Sequence, residues 1–148
     1  MVVFPRTLDD LEADTDHDAI LRRVDDWETR VRALYRQLSA WLPAGWHTDE
    51  SQTVVMREPM MAASGMAMRH LPVLNVYDEA AWKAKLIPHG LWVIGANGRI
   101  DLLAGRAKLL IIDVSEVFAT PSWQLLDPAY VRPGEPLTQD AWMAAIGP

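Results

Sequence analysis

The chain has 148 residues, half of them hydrophobic, with no cysteine and a formal net charge of −6. That length suits a single domain, 1–148, able to bury about 70% of its unfolded surface without covalent staples. The lack of cysteine excludes disulfides, thiolate metal sites and a cysteine nucleophile, and the acidic balance disfavours general nucleic-acid binding because it repels phosphate backbones at long range.

The N-terminal stretch MVVFPRTLDDLEAD has no basic region leading into an apolar run. No apolar stretch reaches the roughly 20 residues of a membrane helix. A soluble, cytoplasmic protein with no membrane association is therefore expected. The acids are unevenly spread: residues 1–50 hold eleven acids against six bases, with Asp9, Asp10, Glu12, Asp14, Asp16 and Asp18 as the densest run. Such a run reads as solvated surface and helix N-terminal charge, with a dock for a basic partner as the alternative.

Residues 7–13 suggest a short helical turn capped by Thr7. A main helix then starts near Thr15 or Asp16, where Thr15 and Asp18 approximate a capping box. Its apolar positions are Ile20, Val24, Trp27, Val31, Leu34, Leu38 and Trp41, spaced alternately by four and three. Asp18–Arg22 and Glu28–Arg32 are acid-before-base pairs on its outer side, and Pro43 and Gly45 stop it. The seam predicts a helix laid across a sheet; its other use is a coiled coil, as a homodimer or with a partner.

Residues 52–58 and 71–78 read as strands, the second with Pro72 near its start. The intervening PMMAASGMAMRH carries Met60, Met61, Met66 and Met68, an adaptable apolar segment that either binds a partner or folds onto the core. Residues 79–87 suggest a short helix or turn. Gly90–Ser115 reads as three consecutive strands, with Asn97-Gly98 as a type I′ hairpin turn. A two-residue second turn at Gly105-Arg106 would put Asp113 on the apolar face with Ile100 and Leu102. A three-residue turn, Gly105–Ala107, would pair Arg99 with Asp113 and gather Arg99, Asp101, Asp113 and Ser115 on one polar face. The second register segregates polar from apolar better and is the one expected. Trp123–Leu126 suggests a last strand, 127–136 an extended proline-containing loop, and Thr138 the cap of a final short helix, TQDAWMAAI.

Two converging carboxylates, Asp101 and Asp113, would be able to hold Mg²⁺. Here G-R-I-D-L, followed after Leu102–Ile112 by Asp113-Val114-Ser115, resembles the core of the restriction-endonuclease-like PD-(D/E)xK nuclease superfamily. The resemblance implies Asp101 as the first acid and Asp113 as the second, with Ser115 where the superfamily has its lysine. Glu28 is a loose match for that family's helix acid. The bland alternative is a cross-strand ion pair of Arg99 and Asp113 flanked by Asp101. Other catalytic templates fail. His17, His47, His70 and His89 are too dispersed for a zinc pattern, Ser64 lacks the glycine spacing of a nucleophile elbow, and no phosphate-binding glycine loop is present. His89, between Pro88 and Gly90, is the best single histidine for a site. The tryptophans at 27, 41, 46, 82, 92, 123 and 142 suggest half-buried seams, each indole N–H reaching a partner, with one or two on a binding surface.

The expectation is thus an α+β fold: a long N-terminal helix on an antiparallel sheet of about five strands, with a short C-terminal helix. The expected function is a non-enzymatic protein-binding or accessory module of a small bacterial-type protein, needing no cofactor, with Trp92, His89, Met60 and Met61 as binding residues. The alternative is a Mg²⁺-dependent nuclease-like protein, active or catalytically degenerate, with Asp101, Asp113, Arg99 and Ser115 as its catalytic set and Asp101 and Asp113 as its metal ligands.

Overall fold

In the computed structural model, Leu8–Ala40 forms one continuous helix, α1. The structure describes residues 8–129 and 133–147, with side chains of the first helical segment described from His17 onward. Thr7, the expected cap of a separate first turn, and the side chain of Thr15 lie outside the described residues. The two helical segments read from the sequence are one helix of 33 residues.

The α1 seam is spent inside the chain. Ile20, Val24, Trp27, Val31, Leu34 and Leu38 are buried in one cluster with sheet residues, and Trp41 packs at its edge. This is helix on sheet, so the seam offers nothing to a coiled-coil partner. Of the two outer pairs expected, Glu28–Arg32 forms. Arg22 instead lies over the Phe118 ring, 5.1 Å from its centroid.

Tyr35, on the same helical face, reaches into the sheet. Its hydroxyl donates to the Pro72 carbonyl (2.9 Å) and lies 3.3 Å from that of Leu86. Burial holds this phenol well above the usual tyrosine range, with the nearby Glu50 charge adding to the shift. A raised folded-state pKa means that the folded chain holds its proton more tightly. Stability is therefore intact below the ordinary tyrosine value of about 10 and falls as pH rises above it. Tyr35→Phe is expected to cost about 1–2 kcal/mol at neutral pH, where the carbonyls lose their donor. The same variant should also flatten the alkaline fall in stability. Urea melts of both proteins from pH 7 to 11 test this, and parallel pH profiles would refute it.

The main sheet has seven strands, not about five. They are β1 (His47–Asp49), β4 (Leu74–Tyr77), β5 (Trp82–Gly90), β6 (Arg99–Ala104), β7 (Ala107–Asp113), β8 (Trp123–Leu126) and β9 (Glu135–Pro136), all antiparallel and lying in that order. From β4 to β9 it is a meander. A separate ribbon pairs β2 (Thr53–Met56) with β3 (Arg69–Pro72), and a short helix α2 (Pro59–Ala63) lies between them in the chain. The ribbon, α1 and the final helix α3 (Gln139–Ile146) all contribute to the same core cluster, through Met56, Leu71, Trp142 and Ile146 among others. They cover one face of the sheet. Thr138 caps α3 as expected, its hydroxyl accepting from the Ala141 N–H at 3.1 Å.

Three local expectations are corrected. First, residues 79–87 are not a helix or turn; most of them belong to β5. Its buried positions are Ala84, Leu86, Pro88 and Gly90, residues too small or too irregular to announce a two-residue period. Pro88 is tolerated because β4 ends opposite Leu86, leaving that side of β5 unpaired beyond it.

Second, Asn97-Gly98 is not a hairpin turn, and Leu91–Ala96 is not a paired strand. β5 pairs directly with β6, Ile87 facing Asp101, and residues 91–98 form a loop across the sheet end, pinched by a Val93–Ala96 bridge. Gly98 has φ of 121°, whereas Asn97 keeps a negative φ, so the positive pair that a type I′ turn requires is not formed.

Third, the β6–β7 turn has two residues. Ala104 faces Ala107, Asp101 faces Leu110 and Arg99 faces Ile112. Gly105 takes φ of 59° in the first central position, where a II′ hairpin demands glycine. The expected Arg99–Asp113 pairing is therefore absent. Asp113 points into the core with Ile100, Leu102 and Ile111.

Candidate functional site

Asp113 would be a costly passenger in an apolar core unless it were paired. Its side chain is 0% exposed, and the Arg30 side chain, at 4% exposure, meets it: Nη1 donates to Oδ2 at 2.5 Å. Its other oxygen accepts from the backbone N–H groups of Ser115 (2.9 Å) and Ser122 (3.0 Å). Arg30 is held in turn by Asp26, one helical turn earlier, at 2.8 Å. It also lies against the Trp27 ring, 5.0 Å from the centroid, and donates to the Asn97 carbonyl at 2.8 Å.

Asn97 completes the knot. Its N–H donates to the Asp113 carbonyl (2.7 Å). Its side-chain oxygen accepts from Arg23 (3.0 Å) and its amide donates to the Glu116 carbonyl (3.4 Å). A buried charge pair is weak evidence for stability but a strong geometric constraint, since each member must stay within reach of the other. Here it bolts α1, the 91–98 loop and the 114–122 loop together. Glu58, just before α2, fastens the other side of the 91–98 loop: its carboxylate accepts from the N–H groups of Leu91 and Trp92 at 3.1 Å.

What this frame holds up is apolar. Ile94 is fully exposed, and Val114, Val117 and Phe118 are each 41–48% exposed. Trp92 is half-buried beside them under the Arg23 guanidinium, 5.7 Å from its ring centroid. Phe118 has φ of 62° and is the one non-glycine with positive φ among the described residues. It sits third in a turn closed by the Ala119 N–H on the Glu116 carbonyl, a place normally given to glycine. A bulky residue held there costs roughly 1–3 kcal/mol, and such strain concentrates at functional positions. Arg22 and Arg23 flank the tip. Neither makes an ion pair with a carboxylate among the described residues. Burial, and then the Arg30 charge, lower the proton affinity of Arg23.

The residues singled out from the sequence are divided by the sheet. Asp101, Arg99 and His89 come together on the open face. Asp101 meets Arg99 Nε at 2.8 Å and His89 Nδ1 at 3.5 Å, and Lys108 joins at 3.6 Å. Asp113 lies on the opposite face, so the two carboxylates of the nuclease-like segment do not converge. Among the described residues, no three His, Asp or Glu side chains are placed to hold a metal ion. The Ser115 hydroxyl is buried and makes no hydrogen bond among the described residues; it is the Ser115 backbone that serves Asp113. Met61 is core, at 1% exposure, whereas Met60 is exposed. The expected indole partners are only partly found. Trp82 donates to Asn75 at 3.1 Å, while the N–H groups of Trp27 and Trp142 are buried with none among the described residues.

Sequence reasoning missed Arg30, Asn97, Glu58, Ile94 and Phe118. Arg30 did leave a signal. It lies three residues after Trp27 and four before Leu34, on the buried side of the helix, where a charge demands a buried partner. Phe118 left none, because nothing in its neighbours requires positive φ.

No family model, no curated protein and no solved structure matches this chain.

Proposed function

We propose that the protein is a non-enzymatic protein-binding module whose contact surface is the tip formed by the 91–98 and 114–122 loops. One observation carries this reading: Ile94, Val117 and Phe118 stand exposed on loops that a buried ion pair makes rigid. Apolar side chains presented on a pre-ordered frame bind without first losing their freedom, which is how a small surface reaches useful affinity. Aromatic anchors dominate such contacts. The partner surface is an apolar cleft that admits Phe118 and Ile94, with acceptors at its rim for Arg22 and Arg23.

A photo-crosslinking residue at Ile94 is expected to give one discrete adduct in the native cell. The same residue at Ala33, exposed on the far side of α1, should give none. Phe118→Gly separates function from folding. Glycine relieves the left-handed strain but loses the half-exposed ring, so stability should hold or rise by up to about 1 kcal/mol. The Ile94 adduct should disappear. Equal adducts from both positions, or an adduct unaffected by Phe118→Gly, would rule out the tip as the contact surface.

A further inference from the structure

The sheet face opposite α1 is closed at β4, where Asn75 is buried and bonded to Trp82 and Gln52, but no helix or ribbon lies over its β5–β8 part among the described residues. Its inward neighbours belong to the core cluster, but Ile87, Leu103, Leu110, Ile112 and Leu126 do not; they are half-buried on the other side. The register sets them around Asp101. Ile87 faces Asp101, which faces Leu110, which faces Leu126. Leu103 and Ile112 lie one side-chain step away along β6 and β7. Beside these aliphatic side chains stand Lys85, opposite Leu103, then Lys108 on the other flank of Leu103, and Arg99 opposite Ile112. His89 adds an imidazole beside Asp101. Asp101 is the single acid at the centre and is shared by Arg99, Lys108 and His89, so it leaves net positive charge on this face in a chain whose formal total is −6.

We infer that this face is a second docking surface, whose partner is an acidic amphipathic helix of another protein. Partly exposed aliphatic side chains interleaved with an excess of cations mark an interaction site. A helix stripe recurring every three to four residues fits a flat sheet in the way that α1 fits the opposite face. Carboxylates on the helix flanks meet Lys85, Lys108 and Arg99. A second copy applied face to face is disfavoured, because two net-positive faces would meet, and like charges across an interface are costly. The inference is independent of the loop tip, which lies at the end of the sheet.

The test uses the whole chain, isotope-labelled, titrated with a short helical peptide that carries a leucine stripe flanked by glutamates. A peptide with lysines in place of the glutamates is the control. Amide shifts are expected along β5 to β8 with the acidic peptide only. They should weaken as salt shortens electrostatic reach, and Lys85→Glu/Lys108→Glu should lower the affinity about tenfold or more. Phe118→Gly should leave the titration unchanged, which keeps this result separate from the fate of the tip. No shifts at millimolar peptide, equal binding of the basic peptide, or indifference to the charge reversal overturns the inference. Two further outcomes also overturn it by naming another occupant. One is sedimentation with phosphatidylserine vesicles that the same double variant abolishes, in the absence of peptide binding. The other is a concentration-dependent dimer that Leu110→Glu dissociates.

Discussion

Asp113→Ala is expected to destabilise the protein by about 3–5 kcal/mol, because it removes the fully buried counter-charge at the Arg30 Nη1 and leaves only the partly exposed Asp26 at Nε. The loss should appear as a fall in Tm on the order of 10 °C. The size follows from geometry. Arg30 has no route to solvent at 4% exposure, and its remaining carboxylate, Asp26, reaches only its Nε. Asp113→Asn should fall between, since it keeps acceptors for the Ser115 and Ser122 N–H groups but drops the charge. Arg30→Met combined with Asp113→Leu should recover part of the loss, as apolar replacement of a buried pair is often neutral. The double-mutant cycle should then give a coupling well above the few tenths of a kcal/mol shown by independent sites; additive losses would mean that the pair is not a unit. The same substitution ties stability to function. With the carboxylate gone, the amides of Ser115 and Ser122 lose their acceptor, and hydrogen exchange over 114–122 should quicken while α3 keeps its protection. The Ile94 adduct should weaken with it.

The elements whose burial follows a simple period were legible in the sequence. The α1 seam, the Thr138 cap and the Trp123–Leu126 strand needed no information from elsewhere in the fold. Polar segregation within the sheet alone gives the central meander the wrong register. By that standard Asp113 belongs with Arg99. The helix supplies a better partner, and a guanidinium arriving from α1 reverses the cost of burying the carboxylate. The charge-bearing residue that settles the register is thus eighty-three positions away along the chain. β5 was illegible for a different reason: its inward residues are Ala84, Pro88 and Gly90 as well as Leu86, and a small or cyclic residue carries no hydrophobic signal even when buried. The site followed the register. Once Asp113 turns inward, Asp101 is left with cations alone, and the candidate two-carboxylate centre becomes a basic patch on one face and a structural bolt on the other.

Gly98→Ala is expected to be nearly as damaging as Asp113→Ala, at about 3–5 kcal/mol, and for reasons that explain the Asn-Gly pair. An added Cβ at Gly98 would run into the six-membered ring of Trp27, which is fully buried and cannot retreat. Forcing an atom into a packed core costs roughly 1–3 kcal/mol. The φ of 121° adds backbone strain of similar size for any residue with a side chain. Gly95, three residues earlier, is the internal control. It also has positive φ, at 81°, but nothing lies within 4 Å of its would-be Cβ, so Gly95→Ala should cost only about 1–2 kcal/mol. Urea denaturation of the two variants separates the steric from the backbone part, and equal losses would show that Trp27 does not press on Gly98. Trp27→Leu in the Gly98→Ala background should relieve the collision while leaving the strain, giving less loss than the two single changes added together. A sequence signal ordinarily spent on a hairpin turn is here spent on docking. Glycine lets α1 approach through Trp27, and asparagine, with its backbone and side chain fully bonded, lets Arg23 and Arg30 grip the loop from the helix. The close approach brings Arg22 and Arg23 alongside the tip, so the residue pair that looked like a turn is what places two cations next to the exposed apolar loops.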